Sequence, residues 1–439
     1  MRYMIIGAGV AGMAAAEAIR TQDEKGEIFM ISNDPHGFYS RPGLAYFLSD
    51  EIIDKGIFPA HQREWLSRNV HYIKGDVTRI QPHDHEIEIG SKTRLFYDRL
   101  LLASGSVAAP MKIPGSELDS VVKLDDFTDA RKIRELSRKA KFAVVIGGGI
   151  TALELVEGFT AQRVKVHYFL RGDRYWSNVL DEDESRIIEK KLIEEGVQIH
   201  YNTEAKEILH KRGRVIGVVT NMQESIKCQV VGYAVGIKPR LALAQGANLA
   251  TERGVLVDEF LQTNQPDVFA AGDVAQVYDP LSDRYILDSL WNPARNQGYT
   301  AGLNMVGVRK KYIKEIAFNV TRLAGITTTI IGMVGVGRTE DEDMVDIARG
   351  DSETFRQLPN GIAMRSGSDV NHVRLLVGEK TLLGALVMGD QTLTRPIKEL
   401  ILGQVDICKV HDKFFEENIP LADIVMDHWL EWRQKSGQE

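Results

Sequence analysis

The chain of 439 residues has only two cysteines, Cys228 and Cys408, and they form no CxxC or CxxxxC pair. This excludes a disulfide framework, an iron–sulfur cluster ligated by cysteines of this chain, and an adjacent dithiol relay. It fits a reducing, cytoplasmic setting. A positive excess is also missing, since 54 Lys and Arg stand against 61 Asp and Glu. The resulting net charge of −7 marks no nucleic-acid partner and no polybasic membrane surface. A local basic patch for an acidic partner remains compatible with that total. No uninterrupted apolar run approaches the roughly 18 residues of a membrane span. The N-terminal run is broken by Gly7, Gly9 and Gly12, has only Arg2 as a positive lead-in, and is followed by Glu17 and Arg20. It does not read as a signal peptide or anchor, and the expectation is a soluble, unprocessed chain.

The length allows roughly two to four domains. Two stretches say what they hold. "YMIIGAGVAGMAAAEAI" (3–19) reads as a buried strand, a Gly-rich turn and a helix of strong helix formers, and "EIFMIS" follows as the next strand. The spacing G-x-G-x-x-G falls on Gly7, Gly9 and Gly12. The first glycine permits the tight turn, the second lets a pyrophosphate approach the backbone, and the third lets helix and strand pack closely. The helix N-terminus then offers unpaired N–H groups to the phosphates. "AVVIGGGITALELVEGF" (143–159) repeats the plan with Gly147, Gly149 and Ala152, and "VKVHYFL" is its next strand. One such turn could be only a tight strand–helix connection. Two complete βαβ units point to two dinucleotides.

Two later strands end in small polar residues. "YDRLLLASGS" (97–106) ends in Ser104 and Gly105, and "QPDVFAAGDVAQ" (265–276) in Gly272 and Asp273. A carboxylate at a strand end can accept hydrogen bonds from a polyol such as the ribityl chain of a flavin. An Asp after Gly could equally cap a helix.

Taken in order, the two Gly-rich turns, "LLLASGS", "GYAVGIKPR" (232–240) and "VFAAGDVA" resemble the FAD-dependent pyridine nucleotide-disulfide oxidoreductase superfamily over about residues 1–330. The resemblance implies an α/β fold with two Rossmann-like dinucleotide-binding domains, for FAD and NAD(P), and a C-terminal α+β interface domain. It implies non-covalent FAD on the first turn and NAD(P)H on the second. "GFYSRPGLAYFLS" (37–49), "LDSLWNPARNQGYTAGLNMVG" (287–307) and "FNVTRLAGITTTIIG" (318–332) are similar to the rubredoxin and ferredoxin reductases and to the flavin part of the nitrite reductase large subunit. Relatives acting on disulfides or peroxide carry a redox cysteine in the first of these stretches. Here Arg41 stands there, beside Ser40, and the lysine common soon after it is replaced by Tyr46 or its neighbours.

By the same resemblance, the cofactor-binding candidates are Gly7, Gly9, Gly12, Ser32, Asp34, Arg41, Val77, Ser104, Gly105, Gly272 and Asp273 for FAD. For NAD(P)H they are Gly147, Gly149, Ala152, Glu154, Arg171, Arg174 and Gly236. Glu154 and Arg41 are the catalytic candidates, with an ordinary helix carboxylate as the plainer reading of Glu154. Ser32 replaces the acidic ribose residue of the first unit, with Asp34 nearby. In the second unit that position falls on Leu170, or on Tyr168 if the register slips by two, and neither is acidic. The element that repels a 2′-phosphate is then missing, and Arg171 and Arg174 could contact that phosphate, although both could simply be solvated. The expectation is that NADPH is accepted, with a slight preference over NADH.

The expected domains are 1–112 and 250–312 for FAD, 113–249 for NAD(P)H, and 313–439 at the C-terminus. In the last, "HVRLLVGEKTLLGALVMG" reads as strand–turn–strand. "TRPIKELILGQ" and "PLADIVMDHWLEWRQK" read as helices, the second a helical tail. His83 and His85 share one face of an expected strand, which could begin a metal site but reads better as a solvated hairpin, so no metal is expected. Trp291 and Trp429 could touch an electron acceptor or simply be packed. Cys228 and Cys408 read as structural. The leading function is an NAD(P)H-dependent reductase of a small redox protein, rubredoxin- or ferredoxin-like, compatible with a homodimer. An NAD(P)H oxidase using oxygen and a flavin-bearing subunit or redox-sensing interaction protein are the alternatives.

Overall fold

The computed structural model describes residues 1–58, 70–280, 282–335, 347–357, 360–368, 370–416 and 419–437. Its frame is a pair of parallel five-stranded sheets. In the first, the strand order is Val268–Ala270, Arg99–Leu102, Arg2–Ile6, Glu27–Ser32, Val70–Lys74. In the second it is Gln198–His200, Lys165–Phe169, Phe142–Ile146, Val230–Tyr233, Val121–Val122. The runs YMII, LLL and AVV lie in the middle of these sheets, covered on both faces and inaccessible to water, which is why they are continuous rather than alternating. Residues from both ends of the first sheet's sequence share one core, in which Ile5, Met30, Leu101 and Phe269 pack together.

The chain passes between the two sheets along a short antiparallel ribbon, Ser106–Ala108 paired with Ile237–Pro239. The third layer is an antiparallel sheet in the order Phe318–Leu323, Ile326–Gly332, Leu382–Met388, Asn371–Val377, Ile362–Ser368. Helices Thr394–Leu402 and Leu421–Ser436 cover it, burying Ile397, Leu400, Val425 and Trp429 against Leu375 and Val387. The strand–turn–strand and both terminal helices thus follow the apolar pattern of the sequence. No helix among the described residues is long and apolar enough to cross a membrane.

The hairpin reading of 82–89 needs correction in detail. The strands are Val77–Gln81 and Glu86–Ile89, so His83 and His85 occupy the turn and share no strand face. His85 takes a left-handed backbone (φ 50°) and stacks on Tyr97 at 5.3 Å. Pro82 and Asp84 supply the turn chemistry that competes with strand continuation. Trp429 is packed, its indole donating to Glu399 at 2.7 Å, whereas Trp291 is 43% exposed in the first turn of helix Trp291–Met305.

Candidate functional site

Both Gly-rich turns leave their strand in the same way. Gly7 has φ 115° and Gly147 φ 142°, and a Cβ on either would lie within 2.2 Å of a carbonyl oxygen of the neighbouring strand's end, Ala103 O or Ala234 O. Only glycine fits there. Gly7 N–H donates to Ile31 O at 2.8 Å, and Gly147 N–H to Phe169 O at 3.3 Å. These paired bonds put the two units in register, so Ser32 corresponds to Leu170.

Helix Val10–Gln22 begins at Gly9, and helix Ile150–Ala161 at Gly149. Neither has a side-chain cap or an acid in its first turn. The orphan N–H groups of each helix are therefore available to an anion. At Gly9 no heavy atom lies within 4 Å of a would-be Cβ, the open approach that a diphosphate needs. At Gly149 the methyl of Ala348 stands 3.2 Å from that position.

Beside the second turn lies a pocket lined by Asp125, Gly149, Ala152, Tyr233, Gly236 and Arg349, among others. Beside it is a buried charge group. Helix Gly43–Leu48 is pressed against the second unit so closely that a Cβ on Gly158 would meet Leu48 Cβ at 2.8 Å. This seats Arg41, which donates to Leu124 O at 2.5 Å and leaves its buried Nε without a partner among the described residues. Burial and the nearby Arg349 push the Arg41 guanidinium down to about 10, against the pull of Glu154. Glu154 is raised by burial, with Arg41 and Arg349 opposing, and its buried Oε2 is also unpartnered. Orphaned buried polar atoms on two neighbouring ionisable side chains mark this group as a candidate site for a polar ligand.

On the first-sheet side, Gly272 and Asp273 follow the strand Val268–Ala270. Asp273 Oδ2 accepts from Ser106 Oγ at 2.7 Å and Ser289 Oγ at 3.1 Å, and Arg349 lies 3.6 Å away. All three partners use the same oxygen, Oδ2. Ser104 and Gly105 lie against Arg240, whose N–H donates to Gly105 O at 3.0 Å.

Most of the other predicted residues are buried or already paired. The Asp34 carboxylate is turned onto its own loop, accepting from His36 N at 2.8 Å and Tyr39 Oη at 3.1 Å, while Ser32 Oγ accepts from Asp34 N at 3.2 Å. Val77 buries its side chain in the first core, leaving its backbone alone for contact. Leu170 and Tyr168 are buried and offer nothing to a ribose. Arg171 is exposed, while Arg174 pairs with Asp173 at 3.1 Å. The place expected for a lysine holds Tyr46, with the Arg322 guanidinium stacked 5.0 Å from its ring centre and paired to Glu51.

Sequence reasoning missed Asp125 and Arg349. Asp125 accepts the Ala108 N–H with both oxygens, at 3.0 and 2.9 Å, and pairs with Lys123 and Arg349 at 2.5 and 2.6 Å. Burial would raise its carboxyl, but Arg349, Lys123 and the Ala108 amide outweigh that and hold it below the ordinary value. Neither residue belongs to a motif, and Arg349 lies far along the chain from either turn. Among the described residues, the one cluster with metal-ligand geometry is Asp181, Glu184 and His372. Its carboxylates are already taken by Arg365 and by the buried Arg374.

A family profile described as pyridine nucleotide-disulphide oxidoreductase matches residues 1–298. The NADH-rubredoxin oxidoreductase of Clostridium acetobutylicum is 27% identical over 407 residues, covering 91% of this chain and 94% of that protein. The NADH oxidase of Enterococcus faecalis is 26% identical over 324 residues, covering 71% of this chain and 72% of that protein. In overall fold the chain resembles putidaredoxin reductase in its covalent complex with putidaredoxin, with a TM-score of 0.84 at 19% identity over 97% of this chain and 98% of the other. The chain therefore belongs to the pyridine nucleotide-disulphide oxidoreductase family and is an enzyme, an FAD flavoprotein that draws its electrons from NAD(P)H.

Proposed function

We propose that this oxidoreductase delivers electrons to a small redox protein of the rubredoxin or ferredoxin kind, in the cytoplasm, without a cysteine relay. When bound, FAD would supply the chemistry, taking one hydride, and so two electrons, from the nicotinamide and releasing those electrons singly. The chain's own residues bind and orient. In this reading the N–H groups after Gly7 and Gly9, with Gly12 behind them, receive the FAD diphosphate, and Asp273 Oδ1 accepts from the ribityl hydroxyls. Ser32, Val77, Ser104 and Gly105 lie along the same path. Gly147, Gly149 and Ala152 receive the donor, Gly236 lets it pass, and Arg41 and Glu154 provide charge and a hydrogen-bond acceptor where the two nucleotides meet. The corresponding domain limits are 1–112 with 250–312, 113–249, and 313–439.

The observation that carries the acceptor reading is the chemistry beside the pocket. Arg41, Glu154 and Arg349 cluster there, and both sulfurs lie elsewhere. Cys228 is buried in a separate core with Val144, Phe169 and Val231, its thiol pushed up to about 12 by burial. Cys408 is exposed near Glu379 in the C-terminal region. A buried, protonated thiol is a poor nucleophile.

The test is donor oxidation measured in air alone and anaerobically with rubredoxin or ferredoxin. One of the carriers should exceed the rate in air at least tenfold. The double variant Cys228→Ser with Cys408→Ser should reduce its flavin within twofold of wild type. A rate in air that no carrier exceeds favours the oxidase reading, and a folded double variant without activity restores a thiol relay.

A further inference from the structure

We propose that Arg349 is a positioning residue for hydride transfer, supplied by the C-terminal part of the chain and tying the two nucleotide-binding units together across the ribbon that joins them. The proposal rests on the reading above of Asp273 and the pocket as parts of the FAD and NAD(P)H sites. Segment 347–352 lies against both strands of that ribbon. Ile347 O accepts the Ile237 N–H at 2.9 Å on one strand. Arg349 reaches the other strand through Asp125, whose two oxygens hold the Ala108 N–H. On the first-sheet side, Arg349 Nη1 lies 3.6 Å from Asp273 Oδ2. The segment is fastened there by Gly350 N–H to Ser289 O and Ser289 N–H to Asp351 O, both at 3.0 Å. On the second-unit side, Ala348 packs over the start of helix Ile150–Ala161 at Gly149.

One guanidinium, 13% exposed, thus stands between a carboxylate of the segment 113–249 and a carboxylate of the segment 250–312. Neither carboxylate depends on Arg349 alone. Asp125 keeps Lys123 and the Ala108 amide, and Asp273 keeps two serine hydroxyls. Removing Arg349 therefore leaves no abandoned buried charge, but it removes the charged link between the units and leaves only the backbone bonds and the Asp125–Ala108 contact. Hydride transfer demands reacting atoms within a few tenths of an ångström of a near-attack arrangement, so a looser tie acts on the rate rather than on the fold.

The experiment is anaerobic stopped-flow reduction of the FAD-loaded enzyme over a range of NADPH and NADH concentrations, with rates expressed per bound flavin. Arg349→Ala should keep its flavin and lower the limiting rate at least tenfold, with the donor's apparent Kd moving less than threefold. Arg349→Lys should recover part of the loss. Adding Asp125→Asn to Arg349→Ala should cost no more than a further twofold, because the two residues form one tie. A limiting rate per flavin within twofold of wild type in Arg349→Ala overturns the proposal. If that variant does not fold, Asp125→Asn breaks the same tie from its other end, and a wild-type limiting rate there overturns it equally. Asp273→Ala, measured alongside, should lose FAD. Retention of FAD with full activity in that variant overturns the site reading itself, and the proposal with it.

Discussion

The two Gly-rich turns follow one plan and differ in what surrounds them. Around the first, glycines let backbones touch. A Cβ on Gly12 would lie 2.1 Å from Gly7 O, and one on Gly298 would lie 2.0 Å from Ala11 O, so helix Val10–Gln22 is gripped between its own turn and helix Trp291–Met305. The ligand side, at Gly9, is open. Around the second, Ala152 fills the place of Gly12, Glu154 and Glu157 stand on the helix, and Ala348 leans on the entrance. The first helix buries Ala14 at the position of Glu154, and only its Glu17 matches the second helix's Glu157. In the reading proposed above, the contrast suits a tightly held cofactor at the first turn and an exchanging donor at the second. The first turn is open at Gly9, and the second has a charged helix position and a neighbouring methyl at Gly149.

The largest effect should come from carrying the second turn's residue into the first. Gly12→Ala should cost about 3 kcal/mol or more of stability and abolish FAD binding, because its clash is with backbone that cannot yield. The reverse change, Ala152→Gly, should cost only about 1 kcal/mol. Thermal unfolding and flavin absorbance measure both, and equal costs for the two changes would erase the difference drawn between the helices.

A middling effect concerns Glu157, which burial raises to about 7 against the opposing Arg322 charge and the Gly325 amide. Its folded pKa lies above the ordinary 4.5. The stability linked to it is therefore fully present below about pH 4.5 and is lost as pH rises through 7. Glu157→Gln should raise the melting temperature relative to wild type at pH 8, by the equivalent of about 1–2 kcal/mol after allowing for partial exposure, with the difference shrinking toward pH 5. A difference that does not change with pH would show that Glu157 titrates normally.

The smallest effect concerns donor choice. With Leu170 buried where an acid would exclude NADPH, kcat/KM should be slightly higher for NADPH than for NADH. Arg171→Ala should lower the NADPH value about three- to tenfold and leave NADH alone. A strong NADH preference untouched by the substitution removes Arg171 from the donor site.

Much of this architecture is local and was legible in the residues. Continuous apolar runs become buried parallel strands because both faces are covered. Glycines at turn positions become obligatory because a Cβ there has no room. The C-terminal hairpin and helices follow their apolar periods. The hairpin formed, but His83 and His85 share no strand face, because two histidines two residues apart look like one face until a left-handed residue makes them a turn.

The sequence by itself therefore determined two βαβ units and their glycine turns, since each depends on neighbours within a few residues. Tertiary structure alone decided that Asp34 is spent on its own loop, that Arg41 and Glu154 come near enough to act on each other's charge, and that Asp125, Asp273 and Arg349 come together from three distant stretches. Contacts of that kind are chosen by the packing of whole layers, and a charge brought in across a hundred residues or more leaves no period or spacing in the chain to announce it.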